Sequence, residues 1–486
     1  MILPVLLQKA ADLKPDVQLQ PHQEKIKELA ADNPLRVLLV HALGSGKSLS
    51  GLAAAEELGE PYTAFAPASL RPNYLKERSK FTDMKTPADV MSYTELAKGK
   101  PVNNSGTVIF DEAHNLRNPD AGRTQKAVEI ADKAKQVIML SGTPVVNRPG
   151  DLATPLRMLT GKSMTPDEFE ARYVKLKNIY PNIFRRLIGW KSGQEYDVNN
   201  RDELKGLLKG HVDWHDPGKP VVPTQYEDIP VEMSEQQGSL YHAMWDRLPW
   251  WAKYKLRNNV SLSDEELQRL TSFLTGPRQV GLSDFPYSKD ADPYKSFQRS
   301  TKMQEAFKRL NTQLQDPRSK ALVFSNFIDA GLTPYAAGLQ QAGIPHGVFH
   351  GGLTDQDRRQ LVDDYNSGKK RVALLGPSGT EGLSFKGTQL IQMLDPYWNP
   401  VRPKQSVGRG LRFDSHTGLA DDLKNVKVER YLARLPKGTL DRFMEGVGFD
   451  RTSKTLGTDD RLAEIAKRKE LLNQKFMDLL KEVGEH

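Results

Sequence analysis

Two short stretches of the chain carry residue types suited to phosphate chemistry. The first, His41-Ala42-Leu43-Gly44-Ser45-Gly46-Lys47-Ser48, follows the apolar run Val37 to Val40 and precedes a helical pattern from Leu49 to Leu58. Strand, glycine-bearing loop and helix in that order let the N–H groups around Gly44, Ser45 and Gly46 converge on phosphate oxygens. Lys47 would then reach the β- and γ-phosphates of ATP, and the Ser48 hydroxyl would ligate Mg2+. The general pattern has glycine where this chain has His41. The second stretch is Val108-Ile109-Phe110-Asp111-Glu112-Ala113-His114. An apolar run ending in two adjacent carboxylates suits Asp111 to hold Mg2+ and Glu112 to polarise an attacking water. Alone, each stretch has a plain alternative: a solvent-exposed loop for the first, a strand-end turn for the second. Together in one chain they make ATP hydrolysis the expectation.

Other constellations are weaker. The chain has no cysteine, which removes disulfide frameworks, cysteine-based zinc and iron–sulfur sites, and thiol catalysis. His211-Val212-Asp213-Trp214-His215 offers two imidazoles at a spacing that can ligate zinc on a helix. It lacks a Glu directly after the first His and a third ligand, and Pro217 follows, so it reads as a surface loop. Trp250, Trp251, Lys253, Tyr254, Lys255 and Arg257 interleave aromatic and basic types. Stacking on bases would use them, but an amphipathic core helix with snorkelling lysines explains the same residues and is preferred. No Ser-His-Asp set and no nuclease-like carboxylate cluster emerges.

The elements that must position these residues show as two blocks of short apolar runs, each followed by helical pattern. The first block holds Val37 to Val40, Tyr62 to Ala66, Val108 to Phe110 and Val137 to Leu140. The second holds Ala321 to Phe324, Gly347 to His350, Val372 to Leu375 and Leu390 to Leu394. Continuous apolar runs alternating with helices indicate buried parallel strands, hence two doubly wound α/β sheets. Between the blocks the chain is polar, aromatic-rich and helical in pattern, broken at Pro217-Gly218, Pro220, Pro223 and Gly276-Pro277. In the tail, Leu462, Ile465, Leu472, Phe476, Leu479 and Val483 form one apolar stripe, as in a helix packed back on the body.

The length of 486 residues suits about three compact units. Sixty-nine Lys and Arg against 61 Asp and Glu leave a net charge of +8, a modest pull toward a polyanion. The N-terminal MILPVLLQKAADL has no basic flank and is broken by Pro4, so it does not read as a signal peptide. No apolar run approaches the ~18 residues that span a bilayer. A cytoplasmic protein without a membrane partner is expected.

In order along the chain, these motifs resemble superfamily 2 helicases, with DEAH at residues 111 to 114, and most closely their Snf-type branch of DNA translocases. Leu19-Gln20-Pro21-His22-Gln23 resembles the motif whose glutamine, here Gln23, reads adenine. Pro67-Ala68-Ser69-Leu70, with Tyr74 and Glu77 following, resembles motif Ia. Ser141-Gly142-Thr143-Pro144 resembles the coupling motif III. Ala321 to Phe327 resembles motif IV, continued by His350-Gly351-Gly352 with Arg358 and Arg359. Gly379-Thr380-Glu381-Gly382-Leu383-Ser384-Phe385 resembles motif V. Trp398-Asn399-Pro400 and Gln405-Ser406-Val407-Gly408-Arg409-Gly410-Leu411-Arg412 resemble motif VI. Past Arg412 the usual Gly-Gln is replaced by Phe413-Asp414-Ser415-His416, which looks more like the compact viral and bacteriophage members than the large chromatin remodellers.

The resemblance implies two RecA-like lobes of the P-loop NTPase kind, with a helical insertion and a C-terminal helix. The chain then divides into an ATP-binding lobe at 1–160, a helical insertion and connection at 161–310, a second helicase lobe at 311–445 and a bracing helix at 446–486. Catalysis falls to Lys47, Asp111 and Glu112, with Arg409 and Arg412 as arginine fingers. ATP binding adds Gln23, Gly44, Ser45, Gly46, Ser48 and Gly382, coupling falls to Ser141, Thr143 and Gln405, and nucleic-acid contact to Ser69, Arg71, Ser325, Asn326, Gly379 and Thr380. The expected partner is DNA, duplex or branched, for a monomeric ATP- and Mg2+-dependent translocase or helicase in viral, phage or bacterial DNA replication, recombination or repair. An RNA helicase and a nucleic-acid clamp or sensor with weak ATPase stand as alternatives.

Overall fold

The computed structural model describes residues 13–32, 35–42, 45–68, 70–102, 106–179, 193–216, 222–258, 264–377, 383–395, 415–436 and 458–485. The chain forms two units. The first comprises 1–177, 196–219 and 469–486, and the second 178–195 and 220–468.

In the first unit the strands are β1 (Arg36–His41), β2 (Tyr62–Ala66), β3 (Ala88–Ser92), β4 (Thr107–Asp111), β5 (Gln136–Leu140) and β8 (Val212–His215). They form one sheet in the order β3-β2-β4-β5-β1-β8. Every pairing in it is parallel. The apolar runs are continuous because both faces are covered. Val37, Leu39, Ile109, Ile138 and Leu140 face one core, whereas Leu38, Val40, Val108, Phe110, Val137 and Met139 face the other. Strand side chains alternate between faces, so a strand buried on both must be apolar throughout. Helices α1 (Pro21–Asp32) and α2 (Lys47–Leu58) cover the first face through Ile26, Ala30, Leu52, Ala54 and Ala55. The close approach of α2 explains its small residues: a Cβ on Gly51 would lie 3.1 Å from Leu140 Cδ1.

In the second unit, β9 (Thr224–Glu232), β10 (Ala321–Phe324), β11 (His346–Phe349), β12 (Val372–Leu375), β13 (Leu390–Met393) and β14 (Val426–Arg434) form a second sheet in the order β11-β12-β10-β13-β14-β9. Its pairings are likewise all parallel. Ala321 and Val323 face one core, Leu322 and Phe324 the other. All eight expected apolar runs are strands. The stretch between the blocks contributes helices such as Glu235–Asp246 and Asp264–Leu282, but also β8, β9 and a two-stranded sheet of β6 (Val174–Ile179) and β7 (Gly193–Val198). The reading of residues 211 to 215 as a surface loop is corrected here: they run into β8, which pairs with β1 from Leu38↔Val212 to His41↔His215.

The tail is a helix, Thr458–Gly484. Within the first unit its Phe476, Leu479 and Leu480 join the core. Within the second unit Asp459 sits in a buried ion pair, its Oδ2 2.5 Å from Lys302 Nζ. The same oxygen accepts the Ala433 N–H at 2.9 Å, and Lys302 also donates to the Leu394 carbonyl at 3.1 Å. Among the described residues no helix is long and apolar enough to cross a membrane.

Both partners of the Lys302–Asp459 pair are at most 2% exposed. Removing one strands the other without solvent, so Lys302→Ala should destabilise the protein by about 3–5 kcal/mol in urea unfolding. A loss below about 1 kcal/mol, the range of an exposed pair, would mean that the surroundings adapt to an unpaired Asp459.

Candidate ATP-binding site

In an open parallel sheet, ligands bind beyond the carboxyl ends of the strands. Asp111 closes β4 in register with Leu140 of β5, and Leu140 is in register with Leu39 of β1. That alignment brings the phosphate loop after β1, the carboxylates after β4 and the Ser141 turn after β5 to one edge of the first sheet.

Gly46 adopts the left-handed conformation, φ 77° and ψ 35°, and precedes Lys47, the first residue of α2. Gly46, the N-cap residue, has no side chain to cap α2, and the first turn of the helix holds no acid. Its leading N–H groups and the positive end of its dipole are therefore open to an anion. Glycine is required at 46 twice over: the φ is unfavourable for other residues, and an added Cβ would lie 2.6 Å from Gln23 Nε2. Gln23 is buried, with its amide nitrogen 3.3 Å from the Ser45 carbonyl and 3.4 Å from the Gly46 carbonyl. Its Oε1 accepts the Gln20 N–H at 2.9 Å. In this structure Gln23 braces the phosphate loop from α1.

Lys47 Nζ lies 4.0 Å from Glu112 Oε1. On its other side Glu112 Oε2 is 3.3 Å from His114 Nδ1, which also lies 3.4 Å from Ser141 Oγ. Ser141 is fully buried and its Oγ accepts the Thr143 N–H at 3.2 Å. One polar chain thus runs from the phosphate-loop lysine through Glu112 and His114 to the Ser141–Thr143 turn. Asp111 is buried with its backbone carbonyl accepting the Tyr93 hydroxyl at 2.7 Å. Burial first, and the Glu112 carboxylate second, push the Asp111 carboxyl well above the usual range, against the pull of Lys47. Glu112 has φ 50° and ψ 51°, a left-handed geometry at a non-glycine residue. Such strain is sparse in proteins and concentrates where side chains must be aimed.

Tyr93 and His114 are parts of this site that residue types alone did not assign. DEAH supplied the signal for His114, whereas Tyr93, the first residue of the short helix Tyr93–Ala97, carries none.

The other expected contacts are distributed as follows. Arg71 donates its Nε–H to the Val90 carbonyl at 2.8 Å, with Nη1 3.6 Å from Glu95 Oε2. Ser325 is fully buried and donates to Asp395 Oδ1 at 2.7 Å. Asn326 gives its backbone N–H and side-chain amide to the two Asp395 oxygens at 3.0 and 2.7 Å. Trp251 packs against the core beside fully buried Ala252, but Trp250 is 79% exposed, so the preferred core reading holds for one tryptophan of the pair. Gly44, Ser69, Gly379, Thr380, Gly382, Gln405, Arg409 and Arg412 lie outside the described residues.

Comparison with known proteins agrees with this geometry. The SNF2-related domain model matches residues 90–281, and the helicase conserved C-terminal domain model matches residues 302–414. A protein of Acanthamoeba polyphaga mimivirus, provisionally named an ATP-dependent RNA helicase, is 24% identical over 95% of this chain and 96% of its own. A termination factor NPH-I homolog of African swine fever virus is 24% identical over 93% of this chain and 76% of its own. A Sulfolobus solfataricus SWI2/SNF2 ATPase core solved in complex with dsDNA covers 98% of both chains at 18% identity, with a TM-score of 0.34. The two domain models, taken in chain order, support a Snf-type superfamily 2 helicase, an ATP-hydrolysing helicase or translocase built on two RecA-like lobes.

Proposed function

We propose that this chain couples ATP hydrolysis to movement along double-stranded or branched DNA. The observation that carries the reading is the SNF2-related match over residues 90–281, which takes in the Asp111–Glu112 pair, together with the phosphate loop whose Lys47 lies beside Glu112. Strand separation is not a requirement of this activity. The viral relatives support a role in nucleic-acid transactions of a virus. A second reading, an RNA helicase, is favoured by the names of two mimivirus relatives, the one above and another that is 23% identical over 86% of this chain.

In this proposal the uncapped start of α2 and Lys47 bind the ATP phosphates, with Gln23 and Ser45 holding the loop that presents them. The Ser48 hydroxyl and the Asp111 carboxylate are hard oxygen donors of the kind Mg2+ takes, and a buried carboxyl raised by its surroundings is relieved by a cation. When bound, Mg2+ would neutralise charge on the phosphates. Glu112, held between Lys47 and His114, orients the attacking water and receives its proton. The His114–Ser141–Thr143 path couples the state of that carboxylate to motif III. Arg409 and Arg412 serve as arginine fingers, with Gly382 and Gln405 as ATP-binding and coupling residues, by the motif they share with the family. For the polymer, Ser69, Arg71, the Ser325–Asn326 segment, Gly379 and Thr380 remain the proposed contacts, a mixture of side-chain and backbone groups that can hold phosphates without reading sequence.

Turnover measured without polymer, with duplex DNA, with single-stranded DNA and with RNA should be stimulated most by duplex DNA. Stimulation by RNA alone would replace this reading with the second. Displacement of a triplex-forming strand without displacement of a duplex strand is the result expected of a translocase. Glu112→Gln should keep ATP binding and lose about 10²- to 10⁴-fold in kcat. Arg412→Ala should do likewise, and wild-type turnover in it would remove the finger assignment.

Gly46→Ala should weaken binding of a fluorescent ATP analogue about tenfold, because the left-handed φ and the collision with Gln23 are together of the order of the 1–3 kcal/mol that such strain costs. Unchanged affinity would show that Gln23 yields freely.

A further inference from the structure

His41, which stands where the phosphate-loop pattern has glycine, is fully buried. Its Nε2 lies 2.8 Å from Asp213 Oδ2, and Asp213 Oδ1 takes Lys25 Nζ of α1 at 2.8 Å. Asp213 belongs to β8, as does His215, whose carbonyl accepts the Ala42 N–H at 2.9 Å. The His215 ring stacks on His22 of α1, with centroids 3.6 Å apart and planes within 5°. His41 stands edge-on to both rings, at 5.3 Å from His22 and 5.8 Å from His215. His22 in turn places Nε2 3.0 Å from the Ser45 carbonyl, the one that Gln23 also contacts. Three elements, α1, β1 and β8, thus converge through their side chains on one peptide of the phosphate loop.

The direction of that peptide matters. A peptide plane is rigid, and its C=O and N–H point in opposite senses. Donors fixed on the Ser45 carbonyl therefore turn the Gly46 N–H the other way, which is the sense a phosphate-binding loop needs. Burial first, then the neighbouring imidazoles, holds His22 below the ordinary histidine range, against the Ser45 bond, and burial does the same for His215. Two stacked neutral rings avoid like-charge repulsion, and a neutral His22 hydrogen-bonded to a carbonyl carries its proton on Nε2. Burial opposes the Asp213 charge, but hydrogen bonds from His41 and Lys25 more than offset it and hold its carboxyl below the usual range. The arrangement is not cost-free, since His41 Nδ1 is buried with no hydrogen-bond partner among the described residues.

We propose that His22, His41 and Asp213 are positioning residues of the ATPase: an imidazole cluster anchored on Asp213 sets the orientation of the Ser45–Gly46 peptide, which makes β8 a working part of the nucleotide site. The proposal rests on the ATP-site reading and deepens it.

The test uses the full chain with saturating ATP and polymer, kcat expressed per nucleotide-binding site titrated with fluorescent ADP, and melting temperature measured alongside. His22 is only half-buried and so is the primary position. His22→Ala should lower kcat per site about tenfold or more, as small misplacements at reacting groups do. His22→Gln, whose amide can still donate to the Ser45 carbonyl, should recover most of that loss. Asp213→Asn should lower kcat per site similarly, and the double variant His22→Ala with Asp213→Asn should be no worse than the weaker single, because both act through one contact. Wild-type kcat per site in His22→Ala, a fall in melting temperature alone, no recovery in His22→Gln, or multiplicative losses in the double variant would each overturn the proposal. Lys47→Ala run in parallel separates the two levels: if it is inactive, failure of the histidine variants to respond removes only the positioning role, whereas turnover in Lys47→Ala removes the ATP-site reading itself.

Discussion

Everything in the first unit depends on a cationic lysine being brought to two adjacent carboxylates at one edge of a parallel sheet. Lys47 and Glu112 come from different strand-to-helix connections, and only the shared direction of β1, β4 and β5 puts their ends together. Parallel strands need long crossovers, so each strand end is free to carry its own loop chemistry. Continuous apolar strands are the sequence consequence, since helices on both faces leave no strand face in water. The phosphate loop, the acid pair and the Ser141 turn are then polar punctuation on an otherwise apolar layer.

Within that frame, the backbone at Glu112 resolves a conflict. Consecutive residues of an extended strand point to opposite faces, yet chemistry at this edge needs Asp111 and Glu112 on the same side. The left-handed turn at Glu112 ends the extended run and aims the second carboxylate back toward Lys47 and His114. A residue without Cβ would adopt that backbone more easily, but would supply no carboxylate. The strain is retained because function fixes the side chain and the surrounding contacts fix the backbone.

Much of this was legible beforehand. The eight apolar runs, the tail helix, the phosphate loop and the acid pair all announce themselves by composition and order. Strands β3, β8 and β9 did not, because each lies at an edge of its sheet where part of the strand meets solvent or loop and no continuous apolar run survives. Strand β14 escaped for a related reason: Val426, Val428, Tyr431 and Leu432 are buried, but Glu429 is buried among them through polar partners. The pair His211 and His215 was visible as a spacing, but spacing on a helix is not spacing on a strand. With β8 extended, His211 bonds the Arg36 carbonyl at 2.8 Å while His215 stacks at the other end on His22. Nothing in residue order says that a strand nearly two hundred residues later will complete the first sheet.

Motif IV shows the converse limit, where residue types are legible and the direction of their side chains is not. Ser325 and Asn326 have the small polar groups that suit phosphate contact, and sequence cannot say whether such a group looks outward or inward. Here Asp395, fully enclosed, needs donors for both oxygens. It receives them from the Ser325 hydroxyl, the Asn326 backbone and amide, and Arg278 Nη2 at 3.1 Å. Arg278 is itself only 4% exposed and lies over the Phe327 ring at 4.8 Å. A buried carboxylate is tolerable only when paired and hydrogen-bonded, so these donors are committed before any polymer arrives. The sequence shows the hydroxyl and the amide of motif IV; it does not show Asp395 beneath them, which holds the backbone after Phe324 in place.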